Sequence, residues 1–279
     1  MQPSSNILNK WTGSAPFWEK HRSVIRHMFA PVSLALADEA RVAPGNSVLD
    51  VATGPGEPAL SLAAIVGPQG RVCGVDPIPG MVEAARRAAD QQGFGNAQFE
   101  VAFADALPYP DAAFGAVVSR FGVMFFPSPV DGVREMWRVL RPGRKLALAV
   151  WCSPERNPFF SALSRVIGTY ADSPPSDSDA PDAFRFAHDG KLRNMLVEAG
   201  IPNPAVRLLQ FTIEAPLAVA EFLQVRVQMS EHLRETFAAF SSEERARVTS
   251  ESLESLAEYY TGAGMSFPAE VLIVSATHE

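Results

Sequence analysis

Three aspartates, each placed at or just past the end of an apolar run, carry the chemistry to be expected of this chain. Asp50 stands in Val48-Leu49-Asp50-Val51-Ala52-Thr53-Gly54-Pro55-Gly56, Asp76 in Val72-Cys73-Gly74-Val75-Asp76-Pro77, and Asp105 in Phe103-Ala104-Asp105-Ala106-Leu107-Pro108. The first run reads as a buried strand ending in a carboxylate and a glycine loop, with Pro58 opening a helix. Ligands of open α/β sheets bind at that carboxyl edge, and glycine lets the backbone approach where a Cβ would obstruct. Gly54-Pro55-Gly56-Glu57-Pro58-Ala59 fits G-x-G-x-x-A, one form of the dinucleotide fingerprint. Asp76 lies 20 residues beyond Gly56, the spacing of a ribose-binding acid. The loop around Asp105 suits an adenine edge, because a carboxylate accepts from an exocyclic amine while a backbone N–H donates to a ring nitrogen. Taken together the three point to a nucleoside-bearing cofactor. Plainer roles compete at two of them: Asp50 can cap the N–H groups of the glycine loop, and Asp105 can form an Asx-turn before Pro108.

These positions need a parallel sheet to hold them. Strands are expected near 47–52, 71–75, 98–102, 115–120 and 145–151, with helices near 58–66, 79–90 and 130–140. Apolar runs alternating with helices of about ten residues give βαβ units. Upstream, residues 16–40 carry two helical patterns, the first through Trp18, His21, Ile25, Met28 and Phe29 and the second beginning at Pro31. Downstream follow a helix over 157–170, a Pro-, Ser- and Asp-rich mobile surface loop over 171–184, and a helix over 191–200 with Gly200 as C-cap. A strand over 206–214, a wholly helical stretch over 217–262 and a last strand over 270–276 complete the pattern. Residues 1–279 thus read as one domain, with cap helices in 1–42, a cofactor-binding core in 43–216, a helical insert or lid in 217–262 and a last strand in 263–279.

With 279 residues, 47% hydrophobic and 20% charged, the chain has the composition of a soluble globular protein. Its net charge of −7 argues against nucleic acid as a partner. The cluster Arg134, Arg138, Arg141, Arg144 and Lys145 falls at and beyond one helix end, where cations complement the dipole. No window approaches the roughly 18–20 apolar residues of a membrane span, and MQPSSNILNKW lacks the apolar core of a signal peptide. The expectation is a cytoplasmic protein without stable membrane insertion, with Cys73 and Cys152 as reduced core thiols. His21 and His27 are six apart, off the i, i+4 spacing of a zinc pair, so no metal is expected. His188, after the 171–184 loop, is a candidate for the border of the pocket.

The motifs as a set resemble those of class I S-adenosylmethionine-dependent methyltransferases, in the group related to the ubiquinone/menaquinone-biosynthesis C-methyltransferases. VLDVATGPG is similar to the family's first motif, VDPIPGM (75–81) to the second, and ADALPYPDAAFGAVVSRFGVMFF (104–126) to the third and fourth. VLRPGRKLALAVW (139–151) is similar to the strand-five segment, with Arg144 in place of a glycine and Gly115 in place of the usual Asp after Phe114. The likeness covers about residues 10–215. It implies a Rossmann-like, doubly wound α/β fold, a seven-stranded sheet with its last strand antiparallel, and a helical cap. The implied activity is methyl transfer from S-adenosyl-L-methionine to a small, fairly apolar acceptor, at carbon or oxygen.

As cofactor-binding positions the resemblance implies Asp50, Ala52, Thr53, Gly54, Pro55 and Gly56 in the first motif and Asp76, Pro77 and Met81 in the second. It adds Ala104, Asp105 and Ala106 at the adenine, and the backbone of Ser119, Arg120 and Phe121 near the methionine amino group. Trp11, Phe17, Trp18, Phe121, Phe125 and Phe126 are expected around the methyl end, where aromatic faces can stabilise a sulfonium. No general base can be named, and a homodimer is left open. Two other readings stand beside this one: a non-catalytic S-adenosylmethionine sensor, and a nicotinamide-dependent oxidoreductase that the Asp105 segment disfavours.

Overall fold

The computed structural model describes residues 3–171, 177, 179–188 and 190–279, with side chains from Ile7 onward. Two long helices, α1 (Pro3–Lys20) and α2 (Arg22–Glu39), lead the chain and part at His21. The second helix therefore does not begin at Pro31, which lies inside α2. Proline removes one helical hydrogen bond, but Ile25, Met28, Phe29, Val32 and Leu36 form one buried face running straight through it. Tertiary packing overrides the local break.

Then come β1 (Ser47–Val51), α3 (Ala59–Val66), β2 (Arg71–Asp76), α4 (Pro79–Gln92), β3 (Ala97–Val101), β4 (Phe114–Arg120), α5 (Pro129–Arg138) and β5 (Leu140–Trp151). They are followed by α6 (Pro158–Ile167), α7 (Lys191–Glu198), β6 (Ala205–Ala215), α8 (Val219–Met229), α9 (Glu231–Ala239), α10 (Ser242–Ala257) and β7 (Met265–Thr277). Among the described residues seven strands form one sheet in the order β3-β2-β1-β4-β5-β7-β6. The pairs from β3 through β5 are parallel, and β7 runs antiparallel to both β5 and β6. The expected doubly wound sheet with a reversed last strand is what forms. Central strands covered by helices on both faces need continuous apolar runs; Val48 and Leu49 of β1 and Val117 and Val118 of β4 are fully buried.

Strand order reverses between β1 and β4, so the crevice beyond their carboxyl ends is the topological switch point where such sheets bind ligands. This position follows from connectivity alone.

Residues 217–262 are not wholly helical. The run breaks at Ser230, which caps α9 by accepting from the Leu233 N–H, and at Ser241, which forms a reciprocal capping box with Glu244. Past α10 the chain leaves the helix, and Tyr260 bridges to Met265 at the head of β7. These helices join β6 to β7 and pack on α6 and α1. The 191–200 helix stops at Glu198, with Gly200 at φ +86° just beyond it and Ile201 N–H returning to Leu196 O at 3.0 Å. Of the expected 171–184 loop, residues 172–176 and 178 lie outside the described residues.

The arginine cluster is largely internal to its own corner: Arg134 pairs with Asp131 at 2.6 Å, and Arg138 with Glu135 and Asp111 at 2.7 Å each. Cys73 and Cys152 are buried and free of disulfide. No helix among the described residues is long and apolar enough to cross a membrane.

Candidate functional site

A cavity of about 1190 Å³, its open mouth included, occupies the switch point. Of the positions expected from sequence, Ala52, Thr53, Gly54, Pro55, Asp76, Pro77, Met81, Ala104, Asp105, Arg120 and Phe121 line it; Asp50, Gly56, Ala106 and Ser119 do not.

The loop after β1 is built from left-handed residues, with Ala52 at φ +61°, Gly54 at +55° and Gly56 at +107°. Thr53 N–H reaches back to Val75 O at 3.0 Å, which ties the loop to β2. Asp76 completes the tie: one carboxylate oxygen accepts from the Gly54 N–H at 2.9 Å and the other from the Ile78 N–H at 3.0 Å. Burial pushes the Asp76 carboxyl up to about 6, opposed by those two N–H donors. A Cβ on Gly54 would meet no atom within 4 Å, so the backbone there faces open space.

Asp50 has a different place. It is fully buried behind the cavity wall and accepts from the Ala59 N–H at 3.1 Å, capping α3 rather than the glycine loop. Burial raises its carboxyl to about 7. Gly56 serves packing, since a Cβ there would stand 3.0 Å from the Leu60 side chain and 3.3 Å from Ala85 of α4. Ser119 is fully buried, and its hydroxyl has no hydrogen-bond partner among the described residues; the Thr53 hydroxyl is buried against Asp50.

At the end of β4 the chain turns through Phe121 at φ +61° into Gly122, which the sequence reading passed over. A Cβ on Gly122 would fall 2.5 Å from that of Ala52, so the two strand ends touch only because this residue is glycine.

The aromatic wall comes from three segments. Trp11 meets Trp18 edge-on at 5.5 Å and Phe125 at 5.1 Å, and all three line the cavity with Phe121 and Phe126. Phe17 does not; its ring lies under Arg234, 4.8 Å from the guanidinium carbon. The helical face of α1 explains this, because residue 17 is turned about 100° from residue 18. Trp18 Nε1 donates to Met229 O at 3.1 Å, fastening α1 to the helices between β6 and β7. From α2, Arg22, Ile25 and Phe29 also line the cavity. Ile25 and Phe29 belong to the helical pattern visible in the sequence, which marked neither them nor Arg22 as cavity-lining. His188 does not border this cavity; it lines a separate one with Cys152, Ser153 and Arg156.

Residues 48–143 match the model of a methyltransferase domain. The ubiquinone/menaquinone biosynthesis C-methyltransferase UbiE of Hahella chejuensis is 33% identical over 175 residues, which are 59% of this chain and 70% of that protein. The chain belongs to this group of class I S-adenosylmethionine-dependent methyltransferases. UbiE of Ectopseudomonas mendocina is 40% identical over 173 residues, 57% of this chain and 66% of that protein, so this enzyme spans about two thirds of the length of these UbiE relatives. The fold also matches phosphoethanolamine N-methyltransferase 2 of Haemonchus contortus, solved with S-adenosyl-L-methionine, with a TM-score of 0.53 at 16% identity, over 89% of this chain and 53% of that one. S-adenosylmethionine is the cofactor of this methyltransferase family. The open backbone at Gly54 and the buried Asp76 carboxylate beside it fit its polar groups.

Proposed function

We propose that the protein transfers the methyl group of S-adenosylmethionine to a small, apolar acceptor held in the same cavity. The observation that carries this is the joining of two unlike surfaces in one space. The Gly54–Asp76 cradle and the Ala104–Asp105 loop suit adenosine, and the wall of Trp11, Trp18, Phe121, Phe125 and Phe126 suits an apolar acceptor.

In this reading Asp76 accepts from the ribose hydroxyls, Asp105 and the adjacent backbone read the adenine edge, and the backbone at 119–121 lies near the methionine amino group. Asp50, Gly56 and Ser119 support the cavity from behind, while Ala106 lies exposed outside it. The bound cofactor supplies an electrophilic methyl group. The protein's part is to fix the acceptor about 3–3.5 Å from it and to exclude water; the aromatic wall can also stabilise the sulfonium charge. In the same reading α1 closes the cavity, and the helices between β6 and β7, which do not themselves line it, hold α1 in place through Trp18. Two buried cysteines outside any disulfide suit a reducing cytoplasm.

The test is incubation with methyl-labelled S-adenosylmethionine and a panel of phenols, quinols and enolisable carbonyl compounds. Label is expected in apolar acceptors and S-adenosylhomocysteine in equal amount. Binding of cofactor with no transfer to any acceptor would make the protein a sensor instead.

A further inference from the structure

We propose that the Arg120 side chain selects the acceptor: it receives an anionic oxygen, so the site takes molecules that react as phenolates or enolates. The proposal rests on the methyl-transfer reading above.

Arg120 ends β4, is 8% exposed, and lines the cavity. It donates to the Ser33 hydroxyl at 2.7 Å and to the Glu57 carbonyl oxygen at 3.1 Å. A guanidinium carries five N–H donors, so these bonds fix its plane and leave donors over. Among the described residues it forms no ion pair. The Glu57 carboxylate is engaged elsewhere, accepting from the Ser61 hydroxyl at 2.6 Å and facing Arg26 at 3.4 Å. Asp50 is the other nearby acid, and burial favours its neutral form. Glu57 and Asp50 attract the guanidinium through space, but a buried cation with no ion pair of its own is costly. In a ligand cavity that cost can be offset by an anion arriving with the ligand.

Its position separates it from the adenosine contacts. Ser33 and Phe29, whose ring centre lies 5.8 Å from the guanidinium carbon, belong to α2, which packs over β4, β5 and β6. Asp76, Met81 and Asp105 follow β2 and β3, on the far side of β1. The guanidinium thus stands beside the ring of Phe29, which meets that of Phe121 at 5.5 Å, and away from the ribose end. A planar aromatic anion matches both the ring wall and the planar fork.

The step balances without a further reactant. The acceptor's acidic proton passes to water as the anion forms beside Arg120. An electron pair of the anion, on oxygen or on the conjugated carbon, makes the new bond to the methyl carbon while the carbon–sulfur pair returns to sulfur. The negative charge and the sulfonium charge vanish together; for attack at an aromatic ring carbon, that carbon's proton then leaves to water.

The experiment is a spectroscopic pH titration of 4-nitrophenol bound to protein saturated with S-adenosylhomocysteine. In the wild type the bound phenol should ionise at least about one pH unit lower than in solution, a tenfold preference for the phenolate. Arg120→Met should abolish the shift and Arg120→Lys should keep part of it. Both should hold S-adenosylhomocysteine within about threefold of the wild type. A wild-type titration with no shift, an upward shift or no perturbation of the chromophore overturns the proposal whether or not the variants fold. So does a loss of S-adenosylhomocysteine affinity in Arg120→Met that spares decarboxylated S-adenosylmethionine, which would assign the guanidinium to the cofactor's carboxylate. Failure of the wild type to bind S-adenosylhomocysteine would strike the methyl-transfer reading itself.

Discussion

Asp76 accepts the backbone N–H of Gly54 at 2.9 Å, across 22 residues of chain. Its second oxygen holds Ile78 N–H at 3.0 Å, so one carboxylate shapes the loop after β1 and the entry to α4. Ribose hydroxyls would be a third demand on the same group. Asp76→Ala should therefore weaken S-adenosylmethionine by about 10- to 150-fold, the range of one charge-assisted bond at about 1.5–3 kcal/mol. The buried Ile78 N–H would also lose its acceptor, at about 1–3 kcal/mol, and the half-buried Gly54 N–H at less, so thermal stability should fall as well. Calorimetry beside a melting curve checks both; unchanged affinity in a folded variant would reduce Asp76 to a loop tether.

The two buried carboxyls give the cofactor-free protein an unusual pH dependence. Asp50 and Asp76 are raised by burial to about 7 and about 6. Between about pH 4 and pH 7 the native state keeps protons that the unfolded chain has released, so stability falls as pH rises through that window. The melting temperature should drop across it, and Asp50→Asn, which cannot ionise, should flatten the drop. A wild-type melting temperature that climbs from pH 5 to 7 as steeply as that of Asp50→Asn would contradict this.

How much of this was readable beforehand depended on where the information lay. The strands and the three aspartate loops are local: an apolar run, a turn and a carboxylate sit within ten residues, and all seven strands overlap their expected places, though β5 begins at Leu140 and β7 at Met265, ahead of the expected 145 and 270. Asp50 shows the limit. Its motif is local, but its cap on Ala59 turns the side chain behind the cavity, and only the packed α3 decides that. The α2 contribution was hidden for a related reason, since Ile25 and Phe29 look the same in sequence whether they face core or cavity. Pro31 and the 217–262 run misled in opposite directions, one by overstating a helix breaker and the other by masking two serine caps.

Gly122 carries a sharp steric expectation. A methyl group there would lie 2.5 Å from the Ala52 Cβ and 2.6 Å from the Ser119 hydroxyl. Gly122→Ala should force the ends of β1 and β4 apart, destabilising the fold by about 1–3 kcal/mol as overpacking does and weakening cofactor and acceptor together. Denaturant unfolding and binding on the same variant read this out; wild-type values in both would mean that the strand ends yield freely.

Removing residues 1–20 takes away Trp11 and Trp18 and the bond from Trp18 to Met229. Turnover should fall at least about 100-fold, equivalent to about 2.7 kcal/mol. Cofactor affinity should fall less, because Asp76 and Asp105 are outside the deleted segment. The measurement is a side-by-side binding and turnover assay; full turnover by the truncated chain would leave α1 a packing element alone.

The most direct measurement of the central claim is calorimetric titration of the purified protein with S-adenosylmethionine, S-adenosylhomocysteine and NAD. Saturable one-to-one binding of both adenosyl ligands and none of NAD is the expected result. Tight binding of NAD with no response to either adenosyl compound would contradict the account.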